Sequence, residues 1–174
     1  MKDRERLDAL EVALNNETRE REFYLQNAKR TTNPVGKAMF RQIADEELEH
    51  YERLKELHGK WKKEQKWPET VPLKVRNTLV RDVLKGVLEK TAKLPPGDDN
   101  DLAAVRAAIE FEAAGAVYYA DLRDKSTDPK EKAFFNLLAD MEHEHYVTLK
   151  DTEELMTNPE SWFREKEKTG LDGA

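Results

Sequence analysis

Apolar residues recur along this chain in four stretches, each with the spacing of a helix that turns one face to a core. Phe40, Ile43, Glu47, His50, Leu54 and Leu57 follow a 3-4-3-4-3 rhythm, and Phe135, Leu138, Glu142, His145 and Leu149 repeat it. A third stripe runs through Leu102, Val105, Ile109, Glu112, Ala116 and Tyr119; a fourth through Leu7, Leu10, Leu14 and Glu17, then past Arg21 to Tyr24. These stripes predict helices over roughly 3–30, 34–60, 99–125 and 129–157. Thr32-Asn33-Pro34 and Thr127-Asp128-Pro129 mark two of the starts, each placing a capping residue before a proline at the first helical position.

The second half repeats the first at an offset of 95 residues, and 13 of the 25 positions aligned between 31–55 and 126–150 are identical. Similarity this dense predicts a duplicated helical hairpin. The connection over 61–98 is too long for a turn. Proline and glycine punctuate it at Pro68, Pro72, Pro95, Pro96 and Gly97, while Val75, Leu79, Val83, Leu84, Val87 and Leu88 suggest a short amphipathic helix within it. The expected architecture is therefore all-α: a four-helix bundle of two hairpins joined by a long crossover. It occupies residues 1–157, and 158–174 form a short helix from Pro159 with a polar tail.

Composition narrows the function classes. The 174 residues carry 30 Lys plus Arg against 36 Asp plus Glu, a net charge of −6 with both signs interspersed. That is no basic nucleic-acid footprint. No stretch approaches a membrane span, and the charged start has no apolar signal core, so a cytoplasmic protein is expected. There is no cysteine. Thiolate zinc sites, iron–sulfur clusters and cysteine nucleophiles are excluded, and any metal must be held by oxygen and imidazole.

The polar residues inside the apolar stripes supply the candidate chemistry. Glu17 precedes Glu47 by 30 residues and Glu112 precedes Glu142 by the same interval; His50 and His145 follow the later glutamates at i+3. The midpoints are Thr32 and Thr127, inside the two turns, so paired glutamates lie at equal heights, about 22 Å from the turn. A carboxylate in an apolar core costs several kcal/mol unless it is neutralised or coordinated. Two divalent cations would cancel four such charges. Oxygen-rich ligation with one imidazole per metal favours iron or manganese over structural zinc. A pair of metals about 3.5–4 Å apart would suit two-electron chemistry with dioxygen or peroxide.

Further residues are secondary candidates. Tyr24 and Tyr119 lie two turns beyond Glu17 and Glu112. Either they hydrogen-bond to the metal carboxylates or stand as oxidisable groups beside them, or they pack with satisfied hydroxyls. Glu20, three residues after Glu17, is a candidate to add a carboxylate; its counterpart in the repeat is Gly115, so the extra acid would be asymmetric and surface charge is the favoured reading, as for Glu110. His58 and His143 read as solvated. Asp45 and Asp140 match in the repeat and are candidates to orient an imidazole. Trp162 and Phe163 are expected to cover the bundle or a subunit interface.

Glu17 with Tyr24, Glu47-Leu48-Glu49-His50, Glu112 with Tyr119, and Glu142-His143-Glu144-His145 resemble the ferritin-like superfamily and, within it, the rubrerythrins. The resemblance spans roughly residues 3–157. It implies a ferritin-like bundle with a non-haem di-iron centre, manganese or zinc being possible substitutes for the two iron ions. By position, Glu17, Glu47 and His50 would serve one half and Glu112, Glu142 and His145 the other. The implied activity is that of an oxidoreductase acting on hydrogen peroxide or dioxygen, as a peroxidase or ferroxidase. Iron storage, metal buffering or a non-catalytic metal-stabilised bundle are the alternatives. Rubrerythrins proper carry a cysteine-bearing rubredoxin-like module, so turnover here would need an external electron donor such as a rubredoxin-like protein. They also resemble one another in an extra glutamate where this chain has Gly115, which narrows the analogy. A homodimer is expected from the resemblance and from the apolar crossover helix.

Overall fold

A computed structural model describes residues 3–64, 67, 78–90 and 95–164. Its helices are α1 (Asp3–Arg30), α2 (Pro34–Glu64), α3 (Val80–Lys90), α4 (Asp99–Lys125) and α5 (Pro129–Thr157). A further short helical segment covers 159–164, and the described residues contain no strand. The expected all-α, ferritin-like bundle is the observed architecture.

The two turns show why the hairpins form where they do. Asn33 Oδ1 accepts from the backbone N–H of Val35 (3.0 Å) and Gly36 (3.1 Å), satisfying two donors at the start of α2. Asp128 does the same for Lys130 (2.8 Å) and Glu131 (3.3 Å) at the start of α5. Pro34 and Pro129 occupy positions where the missing N–H costs nothing. Asp98 Oδ1 caps α4 through Asp101 N at 2.7 Å.

The hairpins pack head to tail. α1 lies against α2, and α4 against α5. The turn of the first hairpin sits at the open end of the second: Asn33 Nδ2 donates to Pro95 O (3.1 Å), and Arg30 Nη2 reaches Asp101 Oδ1 (3.0 Å). The halves are thus related by a pseudo-twofold axis across the bundle. The crossover must consequently run the bundle's length. α3, 11 residues or about 16 Å long, covers part of that distance against α2 and α5. Val80 and Leu84 are buried there, whereas Leu79 is exposed and Val75 lies outside the described residues.

α2 runs one turn past the expected end near Lys60, to Glu64. The added turn carries Trp61, which is buried against Trp67 with its face under the Arg6 guanidinium, 4.1 Å from the ring centroid. Arg6 in turn makes a two-pronged ion pair with Glu131, both buried, which ties the start of α1 to the first turn of α5.

The apolar core is divided in two. One cluster gathers Phe40, Ile43, Val105, Ile109 and Leu149 with α3; the other gathers Leu10, Leu54, Leu57, Phe134, Phe135 and Leu138. Each fully buried Leu, Ile or Phe contributes about 1.5–3 kcal/mol. Between the clusters lies a layer of buried acids and histidines. Trp162 packs on the first cluster, with Nε1 donating to Asp151 Oδ1 at 3.1 Å, while Phe163 stays exposed.

Candidate metal centre

Each helix of the four delivers its polar residue to that layer because the residue stands within an apolar stripe. Glu17, Glu47, His50, Glu112, Glu142 and His145 are all buried, none more than 1% exposed. They form two quartets, Glu17, Glu47, His50, Glu142 and Glu47, Glu112, Glu142, His145, whose donor atoms lie within 4.8 Å of one another. Glu47 and Glu142 belong to both. His50 Nδ1 is 3.2 Å from both Glu17 Oε2 and Glu47 Oε2, and 3.4 Å from Glu142 Oε1. His145 Nδ1 is 3.3 Å from Glu112 Oε2 and 3.4 Å from Glu47 Oε1. The imidazoles stack with centroids 6.0 Å apart. The two quartets overlap through this shared pair of carboxylates.

The chemistry of the layer fits a metal site. Glu47 Oε1 and both oxygens of Glu142 are buried without a hydrogen-bond partner. Such atoms cost free energy unless something positive meets them. Hard oxygens with one imidazole each suit first-row divalent metals.

Protonation in the metal-free protein tells the same story. Burial pushes the Glu17 and Glu142 carboxyls well up, and the Glu47 charge pushes them further. Burial opposes ionisation of Glu47 too, but His50 and His145 outweigh it and hold this carboxyl low. Burial likewise disfavours the imidazolium forms of His50 and His145; Glu47 at the first and Glu112 at the second outweigh that and raise both. Protons thus occupy the layer where cations would otherwise neutralise it.

The tyrosines bond across the pseudo-twofold rather than to the glutamate of their own helix. Tyr24 Oη donates to Glu112 Oε1, and Tyr119 Oη to Glu17 Oε1. Burial raises both phenols well above their usual range, with the accepting carboxylates next in effect, so each stays a donor.

Asp45 and Asp140 orient no imidazole: both are exposed, and Asp140 instead accepts from Asn136 Nδ2 at 2.8 Å. The orienting acid is Glu46. Its Oε2 accepts from His145 Nε2 at 2.7 Å, while its Oε1 accepts from Gln42 Nε2 and Leu79 N, both at 2.8 Å. Although burial opposes it, these bonds hold the Glu46 carboxyl below its usual value. A proton fixed on Nε2 leaves Nδ1 free to face the cluster. The repeat counterpart of Glu46 is Met141, and His50 Nε2 is buried without a partner. Glu46→Gln should therefore weaken one cation by about 10–100-fold and leave the other nearly unchanged, measured by calorimetric titration. The sequence did carry a signal: an acid immediately before Glu-x-x-His in one half only.

Glu20 is the second surprise. It is partly buried beside the layer rather than on the surface, and burial, then the charges of Glu47, Glu142, Glu17 and Glu112, push it up to about 11. Glu110 and His143 are exposed, and His58 pairs with Glu11 at 3.5 Å near the end of α2. No described helix is long and apolar enough to cross a membrane.

A family model for rubrerythrin matches residues 8–153. No curated protein and no solved structure matches the chain. The matched stretch takes in most of α1, all of α2 to α4 and most of α5, with all six buried ligand-type residues inside it. The chain belongs to the rubrerythrin family.

Proposed function

We propose that this protein is a rubrerythrin-type di-iron oxidoreductase, with two Fe(II) ions oxidised by hydrogen peroxide or dioxygen. The observation that carries the reading is the sharing of Glu47 and Glu142 between two buried quartets. In this reading Glu17 with His50 holds one ion, Glu112 with His145 holds the other, and Glu47 and Glu142 hold both. The iron pair supplies two electrons when bound, enough to reduce one peroxide to two waters with two protons.

The chain's own residues set the conditions. The two apolar clusters above and below the layer keep bulk water out. Tyr24 and Tyr119 keep their protons and pin one oxygen each of Glu112 and Glu17, so those carboxylates present the other oxygen to the ions. Glu46 fixes the ring of His145. With no cysteine in the chain, electrons to restore Fe(II) come from a separate donor, such as a rubredoxin-like protein.

The test loads metal-free protein with Fe(II) under anaerobic conditions and adds peroxide or dioxygen by rapid mixing. One peroxide should disappear for each pair of Fe(II) ions, with ferric absorbance rising faster than for Fe(II) in buffer. Oxidation at the buffer rate would contradict an oxidoreductase.

A further inference from the structure

A cavity of about 480 Å³ opens between α1 and α4, lined by Arg19, Glu20, Phe23, Phe111, Gly115 and Tyr118 among others. It stands directly over the acid layer. A Cβ placed on Gly115 would lie 3.3 Å from Glu142 Oε2, so the Glu142 carboxyl packs directly against this glycine of the cavity wall. Glu142 is fully buried, and neither of its oxygens has a hydrogen-bond partner.

Glu20 and Gly115 are equivalent positions of the repeat, 95 residues apart, and the pseudo-twofold brings both to this cavity. The asymmetry has a consequence for access. A glutamate at 115 as well as at 20 would fill this space, whereas glycine leaves only its backbone between the cavity and Glu142. Phe23 and Phe111 meet edge to face at 5.1 Å and form an apolar wall. Arg19 is exposed, so its charge is largely hydrated, while Glu20 is partly buried. A cation entering here meets the carboxyl oxygens of Glu20 first, and those of Glu142 lie behind Gly115.

We propose that the α1–α4 cavity is the port by which divalent cations reach the centre, with Glu20 as its entrance oxygen donor and Gly115 as the thin wall over Glu142. Glu20 binds the arriving ion transiently and hands it to Glu142; it is not a resident ligand. The inference rests on the two-cation reading above.

Stopped-flow uptake of Co(II) by the metal-free full chain, followed by Co(II) absorption, tests it. Glu20→Gln should slow uptake about tenfold, with the final stoichiometry and spectrum unchanged. Glu22→Gln, at an exposed position of the same helix, should load at the wild-type rate. Gly115→Ala, which favours the helix but sets a methyl against Glu142, should also slow uptake. Wild-type rates in both Glu20→Gln and Gly115→Ala would overturn the port. A Glu20→Gln protein that ends with fewer cations or an altered spectrum would make Glu20 a resident ligand and overturn its entrance role. A wild-type chain that takes up no Co(II) would instead remove the two-cation reading itself.

Discussion

Glu47→Ala or Glu142→Ala should abolish uptake of both cations, whereas Glu17→Ala or Glu112→Ala should spare one. The difference comes from the shared pair: Glu47 and Glu142 stand in both quartets, Glu17 and Glu112 in one each. Loss of an outer hydrogen-bond partner already weakens a metal site by about 10–100-fold. Loss of a carboxylate ligand should cost more, and at a shared position that loss falls on both ions. Glu47 pairs with both imidazoles, and Glu17 and Glu112 accept from the buried tyrosines, so the helicity of each variant is checked by circular dichroism before its uptake is compared. Stoichiometry by metal analysis after gel filtration separates the classes. Equal losses in all four would mean that the two sites are not joined through Glu47 and Glu142.

Cation loading should also change both the size and the pH dependence of stability. In the metal-free protein Glu17 and Glu142 keep their protons above the usual carboxylate value of 4.5, and His50 and His145 keep theirs above 6.5. The folded state thus binds more protons than the unfolded chain. Stability is full below those values and is lost as pH rises, by about 1.4 kcal/mol per pH unit for each extra proton held. Glu46 and Glu47, held low, act in the opposite window: their contribution is present above 4.5 and is lost as pH falls. The metal-free protein should be most stable at mildly acidic pH and weaken through neutrality.

Cations reverse this trend, since they replace the protons and bind better as those leave. At 100 times its dissociation constant each ion adds about 2.7 kcal/mol. Two ions then raise Tm by about 15 °C at roughly 3 °C per kcal/mol. Scanning calorimetry between pH 6 and 8, with chelator and with metal, should show the gap between the two curves widening with pH. A metal-free Tm that rises over this range would contradict the proton inventory of the layer.

Much of this was legible before any coordinates. The hairpins announce themselves through strict helical spacing and through Asn33-Pro34 and Asp128-Pro129, whose caps form as the sequence suggests. The six ligand-type residues could be named because each replaces an apolar residue in a core stripe, and the structure brings them into one layer. What sequence could not decide was the environment of residues flanking the stripes. Glu46 sits one position from Glu47 in a run of acids, and only the approach of α5 and the start of α3 buries it. Asp45, one residue earlier, rotates to solvent. Glu20 lies at the edge of its stripe, and its burial depends on how closely α1 meets α4. Tyr24 and Tyr119 stand on the core faces of their helices, but their partners across the pseudo-twofold depend on the head-to-tail packing of the hairpins.

The central claim is that six buried side chains form one centre for two cations. Anaerobic titration of metal-free protein with Fe(II), read by equilibrium dialysis and metal analysis, tests it most directly. Uptake should saturate at two ions per chain in the wild type and at one in Glu112→Ala. Saturation at one ion in the wild type, or no retention above the dialysis background, would contradict it.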